Sequence, residues 1–149
     1  MSMATNADWV KHALETLADA GYRKGGARSA VVELLGRQSC ALTARDIDDQ
    51  LHAGGNTVGR ASVYRTLETL TELKLVTRLD LGHGQAHYEP SLPSGEHHHH
   101  LVCDGCGRVT PFEDPELERT LEKLCKRVSY SVAEHDVVLH GQCGDCVAA

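Results

Sequence analysis

Apolar residues recur along the first half of the chain at spacings of three and four. Val10, Ala13, Leu14, Leu17 and Ala18 make one stripe, which predicts an amphipathic helix over residues 8–20, closed by Gly21. Ala30, Val31, Leu34 and Leu35 mark a second helix ending near Gly36. Thr43-Ala44-Arg45-Asp46 has the form of a capping box with a shorter acid in its fourth place. It opens a third helix through Ile47 and Leu51, which Gly54-Gly55 stops. A fourth begins at Arg60, its apolar face running through Val63, Leu67, Leu70 and Leu73.

The period then changes. Residues 75–81 alternate apolar and polar side chains over most of their length, Gly82-His83-Gly84 turns the chain, and Ala86-His87-Tyr88-Glu89 returns, which predicts a β-hairpin. Helices followed by a hairpin are the order of a winged helix-turn-helix, here residues 1–89. Residues 90–96 carry two Pro, two Ser and a Gly and read as a hinge. Beyond them, residues 100–103, 108–112 and 137–140 are short strand candidates, and Leu117, Leu121 and Leu124 mark a helix between them. Residues 97–149 thus form a small α+β unit, of a size that usually needs a metal or a second subunit.

Composition supports a globular protein. The chain has 149 residues, 41% apolar and 24% charged, too apolar for a disordered chain. No apolar run is long enough to span a bilayer, and the polar start Met1-Ser2-Met3 is not a secretory signal. The expectation is a cytoplasmic protein with no membrane partner. The net charge of −6 is unevenly spread: residues 1–89 carry a net −1 and residues 90–149 a net −5. A near-neutral front half is compatible with a local basic surface.

Six Cys and ten His are the unusual entries in that composition. In a reducing compartment such clusters point to metal or redox chemistry before disulfides. Cys103-Asp104-Gly105-Cys106 and Cys143-Gly144-Asp145-Cys146 are two C-x2-C pairs. Each pair, on a tight turn, offers two thiolates, and together they complete a tetrahedral shell suited to zinc. An iron–sulfur cluster or a dithiol redox pair is the alternative. Cys40 and Cys125 stand alone and read as ordinary half-buried residues.

His97-His98-His99-His100 precedes the first pair. Leading into a strand, His98 and His100 face one way and His97 and His99 the other, so one run can feed two metal sites. A solvated histidine cluster is the plain alternative. His87 and Glu89, two apart on one face of the hairpin, can supply the first site, and Glu118 and His135 the second. Imidazole and carboxylate donors suit Fe(II), Mn(II), Zn or Ni. In the front half Arg23, Lys24, Arg28, Arg60 and Arg65 form a basic set able to reach phosphates. Ser62, Tyr64 and Arg65 lie near the start of the fourth helix, the part of a recognition helix that reaches base edges.

With these motifs in place the chain resembles the ferric uptake regulator (Fur) family over residues 21–146. The resemblance rests on Ser62-Val63-Tyr64-Arg65-Thr66-Leu67, on the wing ending Tyr88-Glu89, on His97-His98-His99-His100-Leu101-Val102-Cys103 with Cys106-Gly107, and on the terminal cysteine pair. It implies an α+β protein with an N-terminal winged helix-turn-helix domain and a small C-terminal α/β dimerisation domain. The implied function is a homodimeric, metal-responsive repressor of metal-ion homeostasis that binds double-stranded operator DNA.

By position, the resemblance assigns Cys103, Cys106, Cys143 and Cys146 to a structural zinc site. It assigns His97, His99, Glu118 and His135 to a site within the dimerisation domain, and Glu89, His98 and His100 to a hinge-proximal sensing site. Tyr64 and Arg65 match recognition-helix residues, and Arg23 and Arg28 match basic positions beside the groove. Iron-type relatives commonly carry a His before the third helix and an acid after the first cysteine pair. Here Cys40-Ala41-Leu42 and Thr110-Pro111-Phe112 stand there, so the sensing shell is short by one or two of the usual ligands, with His87 or Cys40 the candidates to fill the gap. Zinc sensors of the family use a cysteine near the wing Tyr, and none lies between Gly82 and Glu96, which favours Fe(II). Zinc-uptake regulation and peroxide sensing are the alternatives within the family. A zinc metallohydrolase is the rival outside it, but the chain lacks a nucleophile or a paired general-base motif for that chemistry.

Overall fold

The computed structural model describes residues 3–38, 40–82, 84–93 and 97–148. The chain divides into two compact units, Met1–Glu96 and His97–Ala149. His83 of the wing turn and residues 94–96 of the expected hinge lie outside the described residues.

The first unit contains helices α1 (Met3–Asp19), α2 (Gly26–Gly36), α3 (Ala44–Ala53) and α4 (Arg60–Glu72), and strands β1 (Leu42–Thr43), β2 (Val76–Asp80) and β3 (Ala86–Pro90). All four helices predicted from the apolar spacing are present, and the first starts several residues earlier than its apolar stripe. Their stripes converge on one core, in which Trp9, Val31, Leu35, Ile47, Val63, Leu67 and Leu70 have no solvent exposure. Trp9 also donates its indole Nε1–H to the Leu75 carbonyl at 2.8 Å, tying α1 to the start of the wing. Truncating such a side chain to alanine costs about 3–5 kcal/mol.

Helix α3 begins at a complete capping box. Thr43 Oγ1 accepts from the Asp46 amide at 3.0 Å, and Asp46 Oδ2 accepts from the Thr43 amide at 3.1 Å, so the shorter acid reaches as a glutamate would. The helix ends at Ala53 with Gly54 as its C-cap, and Gly55 follows with a φ of +82°, in the left-handed region that favours glycine. There Gly55 N–H bonds to the His52 carbonyl and Asn56 N–H to that of Leu51, satisfying the last turn and setting the angle into α4. The three strands form one antiparallel sheet in the order β1-β3-β2. Two-residue β1 has no periodicity to read in the sequence; it exists because Leu42 and Thr43 pair with Tyr88 and His87.

The second unit contains β4 (His99–Cys103), β5 (Val109–Phe112), α5 (Pro115–Arg127), β6 (Val138–Gly141) and α6 (Gly144–Ala148). Its sheet has the order β5-β4-β6, with β4 antiparallel to β5 and parallel to β6. A parallel neighbour requires a crossover, and α5 provides it. Asp114 caps α5 by accepting from the Glu116 and Leu117 amides, Pro115 occupies the first turn, and Lys126 and Arg127 sit in the last turn, where the helix dipole favours cations. Helix α5 has no buried residue. Leu101 and Leu139, neighbours across the β4–β6 ladder, are 42% and 49% exposed. The second cysteine pair departs from the expected tight turn: Cys143 precedes α6 and Cys146 lies within it.

Candidate metal centres and nucleic-acid interface

Parallel pairing of β4 with β6 sets Cys103 opposite Gly141, and so brings the end of one strand beside the chain that follows the other. The turn after β4 presents Cys106, and the start of α6 presents Cys143 and Cys146. The four sulfurs lie within 4.8 Å of one another. A tetrahedral zinc with Zn–S bonds of about 2.3 Å sets its ligand sulfurs about 3.8 Å apart; Cys106 Sγ and Cys143 Sγ are separated by 3.8 Å. The residues fit a four-thiolate ion.

Backbone amides prepare the shell. The Cys143 and Cys106 N–H groups both donate to Cys103 Sγ, at 3.3 and 3.5 Å. These bonds favour the thiolate and lower the Cys103 pKa to about 6. Its neighbour Cys146 is pushed up to about 12, because hydrogen bonding with Cys103, Cys143 and Cys106 holds its proton. A bound cation would take the place of that proton among the four sulfurs. Gly105 leaves the space for this arrangement: a Cβ there meets Cys146 Sγ at 3.1 Å. Outside the sulfurs, Arg108 Nη2 bonds Asp145 Oδ2 at 3.0 Å and links the segment after the first cysteine pair to α6. Cys125, on α5, is not part of the group.

The second constellation gathers His97, His99, Glu118 and His135 with ligand atoms within 4.8 Å of one another. Glu118, in the first turn of α5, lies at its centre. Its Oε1 is 2.5 Å from His99 Nε2, and its Oε2 is 2.6 Å from His135 Nε2. His97 Nε2 completes the set, 3.3 Å from His135 Nε2. The Val137 amide donates to His99 Nδ1 at 3.1 Å, which fixes the ring of this fully buried histidine so that Nε2 faces Glu118. The hydrogen bond with His99, and then that with His135, hold the Glu118 carboxyl below its ordinary pKa despite the opposing effect of burial. Three imidazoles and one carboxylate suit a borderline divalent ion.

On the other side of the same strand run, the rings of His98 and His100 are 5.0 Å apart. The alternation expected from a strand holds across all four histidines, since the rings of His97 and His99 are also neighbours, at 5.3 Å. In the first unit Tyr88 points into the core, so His87 and Glu89 leave β3 on its opposite face, where both are buried. Cys40 is half-buried nearby. Burial pushes its thiol pKa up and the Glu89 charge adds to this, both of which favour the neutral thiol.

Helices α3 and α4, joined by the Gly54-Gly55 turn, form the helix-turn-helix. Tyr64 is 48% exposed on α4. Beside it Arg65 is exposed and bonds Ser62 Oγ at 3.2 Å. Arg28 stacks over the Tyr22 ring at 5.1 Å, and together with Lys11, Arg23 and Lys24 these two residues line a groove of about 420 Å³ beside α1. Glu15 and Asp19 line the same groove, so it is not uniformly basic. Arg60 is not a simple surface cation: its Nε bonds Asp48 Oδ2 at 3.3 Å. Asp48 escaped sequence reasoning. A signal existed, because Asp48 falls on the same stripe of α3 as the buried Ala44, Ile47 and Leu51.

A model of the ferric uptake regulator family matches residues 19–140. The ferric uptake regulation protein of Bacillus subtilis (strain 168) is 34% identical over 146 residues, covering 97% of this chain and 96% of that protein. The crystal structure of the Vibrio cholerae ferric uptake regulator superposes with a TM-score of 0.77 at 30% identity, over 87% of this chain and 98% of that one. The Francisella tularensis ferric uptake regulator, whose structure was determined with iron, gives 0.73 at 26% identity, over 85% and 96%. With a family model spanning most of its length and relatives aligned almost end to end, the chain belongs to the ferric uptake regulator family, and is a metal-responsive transcription regulator rather than an enzyme.

Proposed function

We propose that this chain is a cytoplasmic repressor of the iron-responsive type, which binds double-stranded operator DNA as a homodimer when Fe(II) is available. The observation that carries the reading is the histidine run, whose alternate members turn to opposite sides of one strand and so serve two sites. The Cys103, Cys106, Cys143 and Cys146 shell takes zinc and staples β4 to the end of the chain. His97, His99, Glu118 and His135 hold a second ion inside the C-terminal unit. The sensing ligands are Glu89 and His87 from β3 with His98 and His100 from the run leading into β4. Their nitrogen and oxygen donors, with no thiolate among them, suit Fe(II), with Mn, Zn or Ni as competitors. The iron found with the Francisella tularensis relative supports the same choice.

In this reading a bound divalent ion supplies a crosslink between donors on the two sides of residues 90–96. Glu89 belongs to the wing strand, two residues from His87, and His98 and His100 belong to the unit that dimerises. Holding these side chains together fixes where α4 stands in the dimer, and two such helices about 34 Å apart meet successive major-groove faces. Coupling of about 1–3 kcal/mol changes DNA affinity by up to roughly a hundredfold. The exposed pair Leu101 and Leu139, with the unburied α5, supports a second copy of the chain as the partner of the C-terminal unit.

Anaerobic titration of DNA binding with Fe(II), Mn(II), Zn(II) and Ni(II) tests the proposal, using zinc-replete protein and a duplex recovered from a random pool. Fe(II) is expected to produce tight binding at the lowest free concentration among metals at their cellular levels. Binding that is equally tight with no added metal overturns it.

A further inference from the structure

Asp48 is a carboxylate in the wrong place for an ordinary surface acid. It is 4% exposed, on the stripe by which α3 packs into the core. A charge removed from water there persists only with a partner. The partner is Arg60, the first residue of α4, reached across the helix-turn-helix at 3.3 Å from Nε to Oδ2. The other carboxylate oxygen makes no hydrogen bond among the described residues; it lies 3.3 Å from Nδ1 of the exposed His52, whose ring meets the Asp48 carbonyl at 2.8 Å instead.

The manner of the contact matters more than its existence. Asp48 engages the inner Nε edge of the guanidinium, while the Arg60 side chain as a whole is 66% exposed. The terminal Nη1 and Nη2 groups remain as a two-pronged donor at the leading end of α4, on the turn that carries Ser62, Tyr64 and Arg65. An exposed arginine normally loses several rotamers when it docks. One already gripped at Nε has lost them on folding, so less entropy opposes contact.

We propose that Asp48 is a positioning residue for DNA recognition: its buried carboxylate holds Arg60 so that the guanidinium presents Nη1 and Nη2 to a pair of acceptor atoms on the duplex. The inference rests on the reading of α4 as the recognition helix. Paired acceptors occur at the guanine O6/N7 edge and on a phosphate, and the two sources have different signatures. Contact with a guanine makes the loss specific to one base-pair position. Contact with a phosphate weakens all sequences alike and lowers the salt slope by about one.

The test is a double-mutant cycle on the full-length, zinc-replete, Mn(II)-loaded protein, with the same pool-selected duplex and single-position variants of it across a salt series. Arg60→Ala should weaken binding about tenfold or more. Asp48→Asn should weaken it about fivefold in the wild-type background but change it by less than about twofold when Arg60 is already alanine. Trp9 fluorescence and melting confirm that each variant is folded. Should Asp48→Asn fail to fold, Arg60→Lys serves instead. Lysine keeps the charge but cannot bond Asp48 and still offer a fork, so it should bind as poorly as Arg60→Ala.

Additive effects of Asp48→Asn and Arg60→Ala, or wild-type affinity in Arg60→Lys, overturn the inference. Tyr64→Ala and Arg65→Ala in the same assay report on the underlying reading. Full affinity in both overturns that reading and the inference with it, whereas weakened binding in both, with additive effects at Asp48 and Arg60, overturns the inference alone.

Discussion

Cys106 and Cys143 are 37 residues apart in the chain, yet their sulfurs stand 3.8 Å from each other. The distance is the edge of a thiolate tetrahedron around zinc. No local sequence feature sets it: it follows from the parallel register that places Cys103 of β4 opposite Gly141 of β6. The small second unit, whose helix α5 buries none of its residues, depends on that closure for order.

Replacing either Cys103 or Cys143 by serine is therefore expected to release the structural ion and abolish the cooperative unfolding of the second unit. Cys125→Ser should leave both unchanged. Zinc content by elemental analysis and thermal melting read the difference. Retained zinc and an unaltered melt in Cys143→Ser would contradict the four-cysteine assignment.

Gly105→Ala tests the same shell without touching a ligand. The added methyl meets Cys146 Sγ at 3.1 Å, tighter than nine in ten real Cβ contacts, so the Cys146 sulfur has to give by a few tenths of an ångström. Zinc should be lost to a chelator at least several-fold faster than from the wild type, with the melting of the first unit unaffected. An unchanged release rate counts against the close packing of this turn.

The two faces of the histidine run should separate in mutants. His98→Ala and His100→Ala are expected to remove metal-dependent DNA binding while leaving the protein dimeric. His97→Ala and His99→Ala, which strip partners from Glu118 and His135, should instead lower the melting temperature, with a smaller effect on the metal response. Metal titrations of DNA binding and melting curves on all four variants decide between these outcomes. Identical phenotypes for His97→Ala and His98→Ala would falsify the two-site reading.

Leu139→Glu places a charge on the exposed apolar ladder it shares with Leu101. If that face carries a second copy of the chain, sedimentation should show a shift from dimer to monomer, with zinc content retained. A dimer of unchanged strength would move the interface elsewhere.

The sequence by itself determined the elements and the chemistry. Apolar spacing located all four helices of the first unit, because each has a continuous stripe that must be buried together. The change to alternation located the wing. The two C-x2-C pairs and the histidine run supplied the candidate donors, since strand alternation is a local property: His98 and His100 face one way whatever the strand pairs with. The capping box at Thr43 and Asp46 was legible for the same reason, being complete within four residues.

What only the tertiary structure decided was who meets whom over distance. The pairing of Leu42 and Thr43 with Tyr88 and His87 makes a strand of a segment too short to show a period. The β4–β6 register makes one shell of two cysteine pairs, and puts the second on a helix where a turn was expected. In the sequence Arg60 is one of a basic set able to reach phosphates; the turn at Gly55, which folds α4 back on α3, is what sets it against the buried Asp48. A carboxylate on an apolar stripe announces that a partner exists. It cannot name the partner, because that depends on the crossing of two helices, which packing rather than local sequence fixes.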